Sequence, residues 1–390
     1  MSRSSNGGTI VAVAAAAAGA ACAAGAVALE RAARRRRELA ALDPEAGYDQ
    51  VPDEVMTVMA TDGVPLHVEI DRPGEGLDAA KPTVIFSHGY ANNLDGWVFQ
   101  RRALVAAGYR VVLWDQRGHG MSGLSDDAHA TIEQLGHDLD RVIEAAAPTG
   151  DLVLIGHSMG GMTTMSLAHH HPEVVRERVI AVALVATSAG GSALTDLDFG
   201  PIVGQFFGQV GPAVLGRLVP WSNQLHRVRR FGRRIEDALV VRYSFDSPVS
   251  QNLVRFTGDM IFATPFTSMA QFLAALDTLD EVAALEHFRG IETLVLNGRG
   301  DLMTPPVTSE DIVHHIPGAE HVVVEDAGHL IMLEHPELVS RQLRELIDRA
   351  LRARPAEQQR PRPPRLRRVI SDLGRRVQVR HAREAAAASS

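Results

Sequence analysis

The chain has 390 residues, of which 45% are hydrophobic and 22% charged, so it can build one large or two ordinary globular domains. Its formal net charge of -8 gives no indication of a nucleic-acid partner. The single cysteine, Cys22, excludes a disulfide bond within one chain.

The N-terminal region carries a long uncharged stretch. After a short tail, residues 1–8, residues 9–29 are mostly alanine, and their length fits one membrane-spanning helix. Arginines follow within residues 31–37, and the positive-inside rule assigns that side to the cytoplasm. We therefore expect a single-pass membrane anchor with the body of the protein in the cytoplasm. The alternative is a cleaved signal peptide and a secreted protein.

After a linker, residues 30–50, the sequence alternates between strand-like and helix-like segments. The first part of this body spans residues 51–190 and the second part spans residues 286–352. The alternation predicts an α/β architecture with a mostly parallel sheet flanked by helices. In such a sheet, ligands bind at the carboxyl ends of the strands. Strands are predicted at residues 55–59, 64–70, 83–86, 110–114, 152–155, 179–186, 292–296 and 321–324, and the closing helix at residues 335–351.

Residues 191–285 interrupt this alternation with apolar helical material and an arginine run between residues 227 and 234. We expect a helical cap inserted over the carboxyl ends of the strands, with some of its apolar side chains lining an acyl pocket. The arginine run is predicted to be a solvated face, with contact to anionic lipid as the alternative.

The C-terminal segment, residues 353–390, is rich in arginine and proline and is predicted to be disordered. The alternative is a basic amphipathic helix on an anionic membrane surface. Its apolar residues fall on one helical stripe: Leu366, Val369, Ile370, Leu373 and Val377.

One stretch carries the strongest chemical signal. Leu152–Gly161 reads as a strand, a sharp turn and a helix, and the sequence from Gly156 to Gly160 matches the G-x-S-x-G nucleophile elbow. Such a turn lifts the Ser158 hydroxyl off the sheet, above a helix N-terminus that stabilises negative charge. Ser158 is therefore the candidate nucleophile.

A serine hydroxyl needs a histidine base, and the histidine needs a buried acid. Asp301 follows a predicted core strand, and His329 lies between a strand and the last helix. Glu325 and Asp326 are competing acids, but both are too close to His329 in sequence. The backbone N–H groups of Met159 and Tyr90 are candidate donors to an oxyanion. The histidines at residues 169–171 end the elbow helix and are expected to be a polar cap, and those at residues 314–315 are expected to be surface residues of a helix. The spacing of neither group indicates a metal site.

Five motifs together resemble the α/β-hydrolase superfamily over residues 51–351: Ser87–Tyr90, Asp115–Ser122, Gly156–Gly161, Asn297–Asp301 and Ala327–His329. The resemblance implies Ser158 as nucleophile, Asp301 as acid and His329 as base. It also implies an oxyanion hole formed by the N–H groups of Tyr90 and Met159. The elbow is similar to that of monoacylglycerol-lipase-like and esterase-like members. The N-terminal stretch and the basic tail lie outside the family pattern.

The resemblance implies a serine hydrolase that cleaves carboxylic esters through an acyl-enzyme. A cofactor-free haloperoxidase or a carbon–carbon-bond hydrolase is an alternative, and a non-catalytic binding module is a further one. Epoxide hydrolases and haloalkane dehalogenases are disfavoured, because they use an aspartate where this chain has Ser158. We expect no cofactor, no metal and no nucleic-acid partner. The expected substrate is a small-molecule or lipid ester, and the predicted anchor and basic tail favour medium-chain esters over acetate esters.

Overall fold

The computed structural model describes residues 39–43, 47–74, 81–190, 236–353 and 367–388. These residues form one nine-stranded sheet. The strands are β1 (Glu54–Met59), β2 (Pro65–Asp71), β3 (Thr83–Ser87), β4 (Arg110–Trp114), β5 (Leu152–His157), β6 (Val179–Val185), β7 (Glu292–Gly298), β8 (Glu320–Val324) and β9 (Arg368–Ile370).

The strand order across the sheet is β1-β2-β4-β3-β5-β6-β7-β8-β9. β1 pairs antiparallel with β2, and β2 antiparallel with β4, whereas all the remaining pairs are parallel. The prediction of a mostly parallel α/β sheet is therefore confirmed. The central strands are buried along their whole length, which explains why they read as continuous apolar runs.

Helices connect and flank the strands. They are α1 (Val98–Ala106), α2 (Ile132–Ala146), α3 (Met159–His170), α4 (Pro172–Arg178), α5 (Gln251–Ala263), α6 (Phe266–Asp277), α7 (Pro306–His315), α8 (Ile331–Glu334), α9 (Pro336–Arg352) and α10 (Leu373–Ala388). Short 3-10 helices occur at Leu94–Trp97 and Ala283–Phe288. The closing helix predicted at residues 335–351 is α9, in which the apolar stripe is buried while the arginines are not.

The chain divides into two compact units. The larger unit, Ala46–Ser247 with Leu253–Asp372, contains the whole sheet. The smaller unit includes α10 and residues 248–252, where an Arg375 guanidinium nitrogen donates to the carbonyl oxygen of Pro248 at 3.0 Å.

The region predicted as a cap is partly described. Residues 191–235, which include the arginine run, lie outside the described residues. The described part is helical, with residues 236–244 followed by α5 and α6, and it lies in the chain between β6 and β7. A helical segment inserted between two sheet strands agrees with the prediction.

The C-terminal segment differs from the predicted disorder in the helix α10 and, before it, at residues 368–370. These residues form β9, which pairs in parallel with β8 and extends the sheet. The predicted helical stripe is interrupted here, because Val369 and Ile370 belong to a strand. Local pattern could not show this, since the strand forms only by adding to an existing sheet edge. Residues 354–366, including Leu366, lie outside the described residues.

The predicted membrane anchor requires a correction. None of the helices within the described residues combines the length and apolar character needed to cross a membrane. The predicted span, residues 9–29, lies outside those residues. The single-pass anchor is therefore not supported, and neither is the location in the cytoplasm that was inferred from it. The physical weakness of the prediction is that alanine, which dominates the stretch, is only weakly hydrophobic.

Candidate active site

Ser158 lies at a strained turn between β5 and α3. Its backbone has φ 51° and ψ -120°, in a region that non-glycine residues rarely adopt. Small neighbours make this turn sterically possible. A Cβ atom on Gly156 would lie 2.3 Å from the Gly160 carbonyl oxygen, and one on Gly160 would lie 2.2 Å from the Ser87 carbonyl oxygen. The G-x-S-x-G spacing is thus required by close backbone approach.

Strand β6 and the residues that follow it stabilise the turn. The Ser158 N–H donates to the Val185 carbonyl oxygen at 3.0 Å. The Thr187 hydroxyl donates to the Ser158 carbonyl oxygen at 2.7 Å. Since both backbone groups of Ser158 are bonded to neighbouring elements, the strained conformation is stabilised from outside the motif.

Asp301 and His329 are brought together from two loops, one after β7 and one after β8. His329 Nδ1 lies 2.9 Å from Asp301 Oδ2 and 3.1 Å from Asp301 Oδ1. The carboxylate also accepts hydrogen bonds from the Met303 N–H and from the N–H and hydroxyl of Thr304. Burial alone would raise the pKa of Asp301, but His329 and the Thr304 donors lower it below its usual value. Asp301 is therefore an ionised, fully buried acid that orients the histidine ring.

His157 connects the elbow to His329. The His157 Nε2–H donates to the His329 carbonyl oxygen at 3.0 Å, and the two ring centroids are 4.8 Å apart. Burial, with the neighbouring charge of His329, lowers the pKa of His157 to about 3. His157 is therefore a neutral donor that holds the backbone of His329 in place.

The loop after β3 lies against Ser158. A Cβ atom on Gly89 would lie 3.2 Å from the Ser158 Cβ atom. The Ala91 N–H in this loop donates to His119 Nε2 at 3.2 Å and is therefore occupied. The N–H groups of Tyr90 and Met159 remain the candidate donors to an oxyanion at Ser158.

Buried polar residues hold this loop in place. His88 Nδ1 donates to the Gly89 carbonyl oxygen at 2.8 Å, and its Nε2 accepts from the Gln116 N–H at 2.9 Å. The Gln116 side-chain amide donates to the His88 carbonyl oxygen, and its oxygen accepts from the Thr163 hydroxyl on α3. Burial lowers the pKa of His88 well below its usual value, so the ring is neutral and serves as a structural support.

Helix α6 contributes to an apolar cluster beside the elbow. The Tyr90 hydroxyl donates to the Met269 carbonyl oxygen at 2.7 Å. Phe272 of α6 is fully buried in a cluster with Met159 and Met162, against which the Tyr90 ring packs. The described part of the predicted cap therefore contacts residues that flank Ser158.

The sequence and the fold agree with known proteins. Residues 82–336 match the family described as the alpha/beta hydrolase fold. The chain belongs to this family. It is 28% identical over 254 residues to the sn-1-specific diacylglycerol lipase ABHD11 of Mus musculus, a match that covers 65% of this chain and 76% of that one. Other curated relatives match over less than half of their own length.

Two solved structures show how far the likeness extends. A thermophilic esterase from Thermogutta terrifontis is 26% identical to this chain and superimposes with a TM-score of 0.57. The alignment covers 76% of this chain and 99% of the esterase. The esterase EaEST from Exiguobacterium antarcticum has a TM-score of 0.60 at 19% identity and covers 76% of this chain and 100% of the esterase. At 19% identity, the second comparison supports only the fold of this α/β-hydrolase and not its activity.

The site of this α/β-hydrolase also contains residues that the sequence analysis did not identify. Glu334 is fully buried, and its carboxylate accepts from the N–H groups of Gly328, Asp246 and Ser247. His335 Nε2 donates to the Asp326 carbonyl oxygen at 3.0 Å, and its Nδ1 lies 3.1 Å from Asp372 Oδ2. The one local signal was a glutamate that ends an otherwise apolar run, Leu330–Leu333.

Proposed function

We propose that this chain is a serine hydrolase that cleaves carboxylic esters through an acyl-enzyme, with Ser158 as nucleophile, His329 as base and Asp301 as acid. One observation carries the proposal: Ser158 occupies a strained turn at the N-terminus of α3, while the loops after β7 and β8 bring the buried Asp301 and the partly buried His329 together at the same edge of the sheet. This is the edge at which α/β sheets bind ligands.

The chemistry follows from the roles of these side chains. His329 removes the proton from the Ser158 hydroxyl while the oxygen attacks the ester carbonyl carbon. Ionised Asp301 stabilises the imidazolium that forms. The N–H groups of Tyr90 and Met159 donate to the developing oxyanion. The C–O bond then breaks, the alcohol leaves with the proton from His329, and water releases the acid from Ser158 by the same steps in reverse.

The substrate class follows from the apolar residues near Ser158 and from the proteins that this chain resembles. Met159, Met162 and Phe272 form a buried apolar cluster beside the elbow. Apolar surroundings at Ser158 favour an acyl chain over a small polar acyl group. The relatives include a diacylglycerol lipase and a structurally similar esterase. On these grounds, and not because of a membrane anchor, we expect medium-chain esters to be cleaved faster than acetate esters.

Two alternatives use the same three side chains, namely cofactor-free halide oxidation with peroxide and hydrolysis of a carbon–carbon bond. A buried, ionised acid paired with a histidine argues against a non-catalytic binding module, because an unused buried charge costs stability. The activity assay therefore includes peroxide with bromide and a β-diketone substrate beside the esters.

A fluorophosphonate probe and a series of p-nitrophenyl esters from acetate to laurate test the proposal. The wild-type chain should be labelled, Ser158→Ala should abolish labelling, and Ser166→Ala, on the same helix, should be labelled like wild type. Persistent labelling of Ser158→Ala would place the nucleophile elsewhere. Turnover of bromide or the diketone with no ester cleavage would reject the ester substrate while keeping the nucleophile.

A further inference from the structure

A second group of chemically active side chains lies where α2 packs against the C-terminal end of α3. Ser158 precedes the first residue of α3, and His170 is its last residue, so this group lies about 18 Å from the elbow at the helical rise of 1.5 Å per residue. We call it the α2–α3 cluster: Glu133, His137, Asp140, His170 and His171.

Three of these residues place ligand atoms together. One ligand atom from each of Glu133, His137 and His170 lies within 4.8 Å of the others. Glu133 and His137 are four residues apart and share one face of α2, with His137 Nε2 3.9 Å from Glu133 Oε1. The spacing of the histidines in the sequence does not indicate this arrangement, because His170 joins the pair only through the packing of two helices.

The remaining residues orient His137. Its Nδ1 lies 2.8 Å from His171 Nε2, and His171 Nδ1 lies 3.5 Å from Asp140 Oδ2. A hydrogen on His171 Nδ1 faces the carboxylate, so His171 Nε2 accepts and His137 Nδ1 must donate. This tautomer, assigned from the hydrogen-bond network, leaves the lone pair of His137 Nε2 facing Glu133. Metal-binding histidines are oriented by outer-shell partners in the same way.

The α2–α3 cluster is accessible from solvent. Glu133 is exposed while His137 and His170 are partly buried, so the three ligand atoms can be reached from solvent.

We propose that Glu133, His137 and His170 bind one divalent transition-metal ion of the zinc class, with water completing its coordination. Two imidazole nitrogens and one carboxylate are a ligand set that Zn²⁺ accepts, whereas Mg²⁺ prefers oxygen ligands alone. Because the ion would join α2 to the end of α3, its role is to stabilise this helix pair at a distance from Ser158.

Titration of the untagged, metal-free full chain with ZnCl₂ tests this site by calorimetry. We expect one equivalent to bind, with MgCl₂ giving no binding. His137→Asn/His170→Asn should lose that equivalent, while the matched surface pair His314→Asn/His315→Asn should bind Zn²⁺ like wild type. His171→Gln should weaken binding by about 10- to 100-fold, because it removes the partner that orients His137.

Thermal unfolding supplies a second readout that does not depend on turnover. Zn²⁺ should raise the Tm of wild type and of the surface-pair variant, and it should leave the Tm of His137→Asn/His170→Asn unchanged. Circular dichroism checks that this variant folds, and Glu133→Gln offers a milder change that should also weaken binding. The proposal is overturned if wild type binds no Zn²⁺, or if the cluster variant binds it as tightly as wild type.

Discussion

Two regions that supply the proposed catalytic groups are built in different ways. The elbow, residues 156–161, contains the proposed nucleophile and the glycines that its turn requires within six consecutive residues. The histidine loop, residues 325–330, is held by residues from distant segments. Its Glu325 N–H donates to the Ile370 carbonyl oxygen, and its Leu330 N–H donates to the Ser244 carbonyl oxygen.

The difference shows which kind of catalytic geometry a sequence motif can encode. The strain at Ser158 depends on local close approach, so the glycines that permit it must be adjacent in sequence. The position of His329 depends on hydrogen bonds to Glu334, His335 and the C-terminal strand, which are side-chain and backbone contacts without a fixed spacing. Substitutions in the elbow should therefore change the turn at Ser158 directly. Substitutions around the histidine loop should instead displace His329 by removing the hydrogen bonds that hold the loop.

The largest effect should follow from changing the nucleophile. Ser158→Ala and Ser158→Gly should each reduce kcat by about 10⁴-fold or more, because either change removes the attacking oxygen. The two variants should differ in stability, since glycine adopts a positive φ without strain and alanine does not. We expect Ser158→Gly to be about 1 kcal/mol more stable than Ser158→Ala in urea unfolding. Equal stability of the two variants would show that the elbow carries no backbone strain.

The next largest effect concerns the acid in the loop after β7. Asp301→Asn should reduce kcat by about 10⁴-fold with little change in the fold, because the amide favours the wrong tautomer of His329. Asp326→Asn is the matched control, since asparagine tolerates the φ of 54° observed at this position. Steady-state kinetics with a p-nitrophenyl ester measures both variants. If Asp326→Asn were the inactive variant, the acid would be misassigned.

Support of the histidine loop is tested by Glu334→Gln. The amide nitrogen cannot accept from a buried N–H, so we expect the free energy of unfolding to fall by about 1–3 kcal/mol. Displacement of His329 should lower kcat by roughly 10- to 100-fold with KM nearly unchanged. The exposed Glu337→Gln on α9 should match wild type in both measurements. A loss of stability without a loss of kcat would mean that Glu334 holds the fold and not the catalytic geometry.

The smallest effect should come from the contact between His335 and Asp372. Burial alone would lower the pKa of His335, but the hydrogen bond to Asp372 and the charge of Glu334 raise it above its usual value. A raised pKa in the folded state stabilises the fold fully below pH 6.5, and this contribution is lost as the pH rises through the raised value. We expect Asp372→Asn to lower the free energy of unfolding by about 1 kcal/mol below pH 6.5, and by less above the raised pKa of His335.

A double-mutant cycle with His335→Gln isolates this contact. The coupling energy between the two substitutions should decrease as the pH rises through the raised pKa of His335, measured by urea unfolding. A coupling energy that does not change with pH would show that His335 is not charged in the folded protein.

Much of the fold was predictable because its signals are local. The alternation of strand-like and helix-like segments along the chain identified the parallel strands of the body and the closing helix α9. The tail was harder, because β9 has only three residues and is a strand only through its pairing with β8. A short arginine-flanked segment carries no local signal that separates it from a disordered tail.

By itself, the sequence determined the α/β-hydrolase architecture and the order in which Ser158, Asp301 and His329 follow their strands. Their relation to strand ends is a matter of chain position, and parallel strands bring their carboxyl ends to one edge. Only the tertiary structure decided what supports these residues: the 2.9 Å contact of Asp301 with His329, the His157 bond to the histidine loop, the buried Glu334, and the meeting of His137 with His170. These contacts join segments distant in sequence, so their geometry depends on packing and not on spacing.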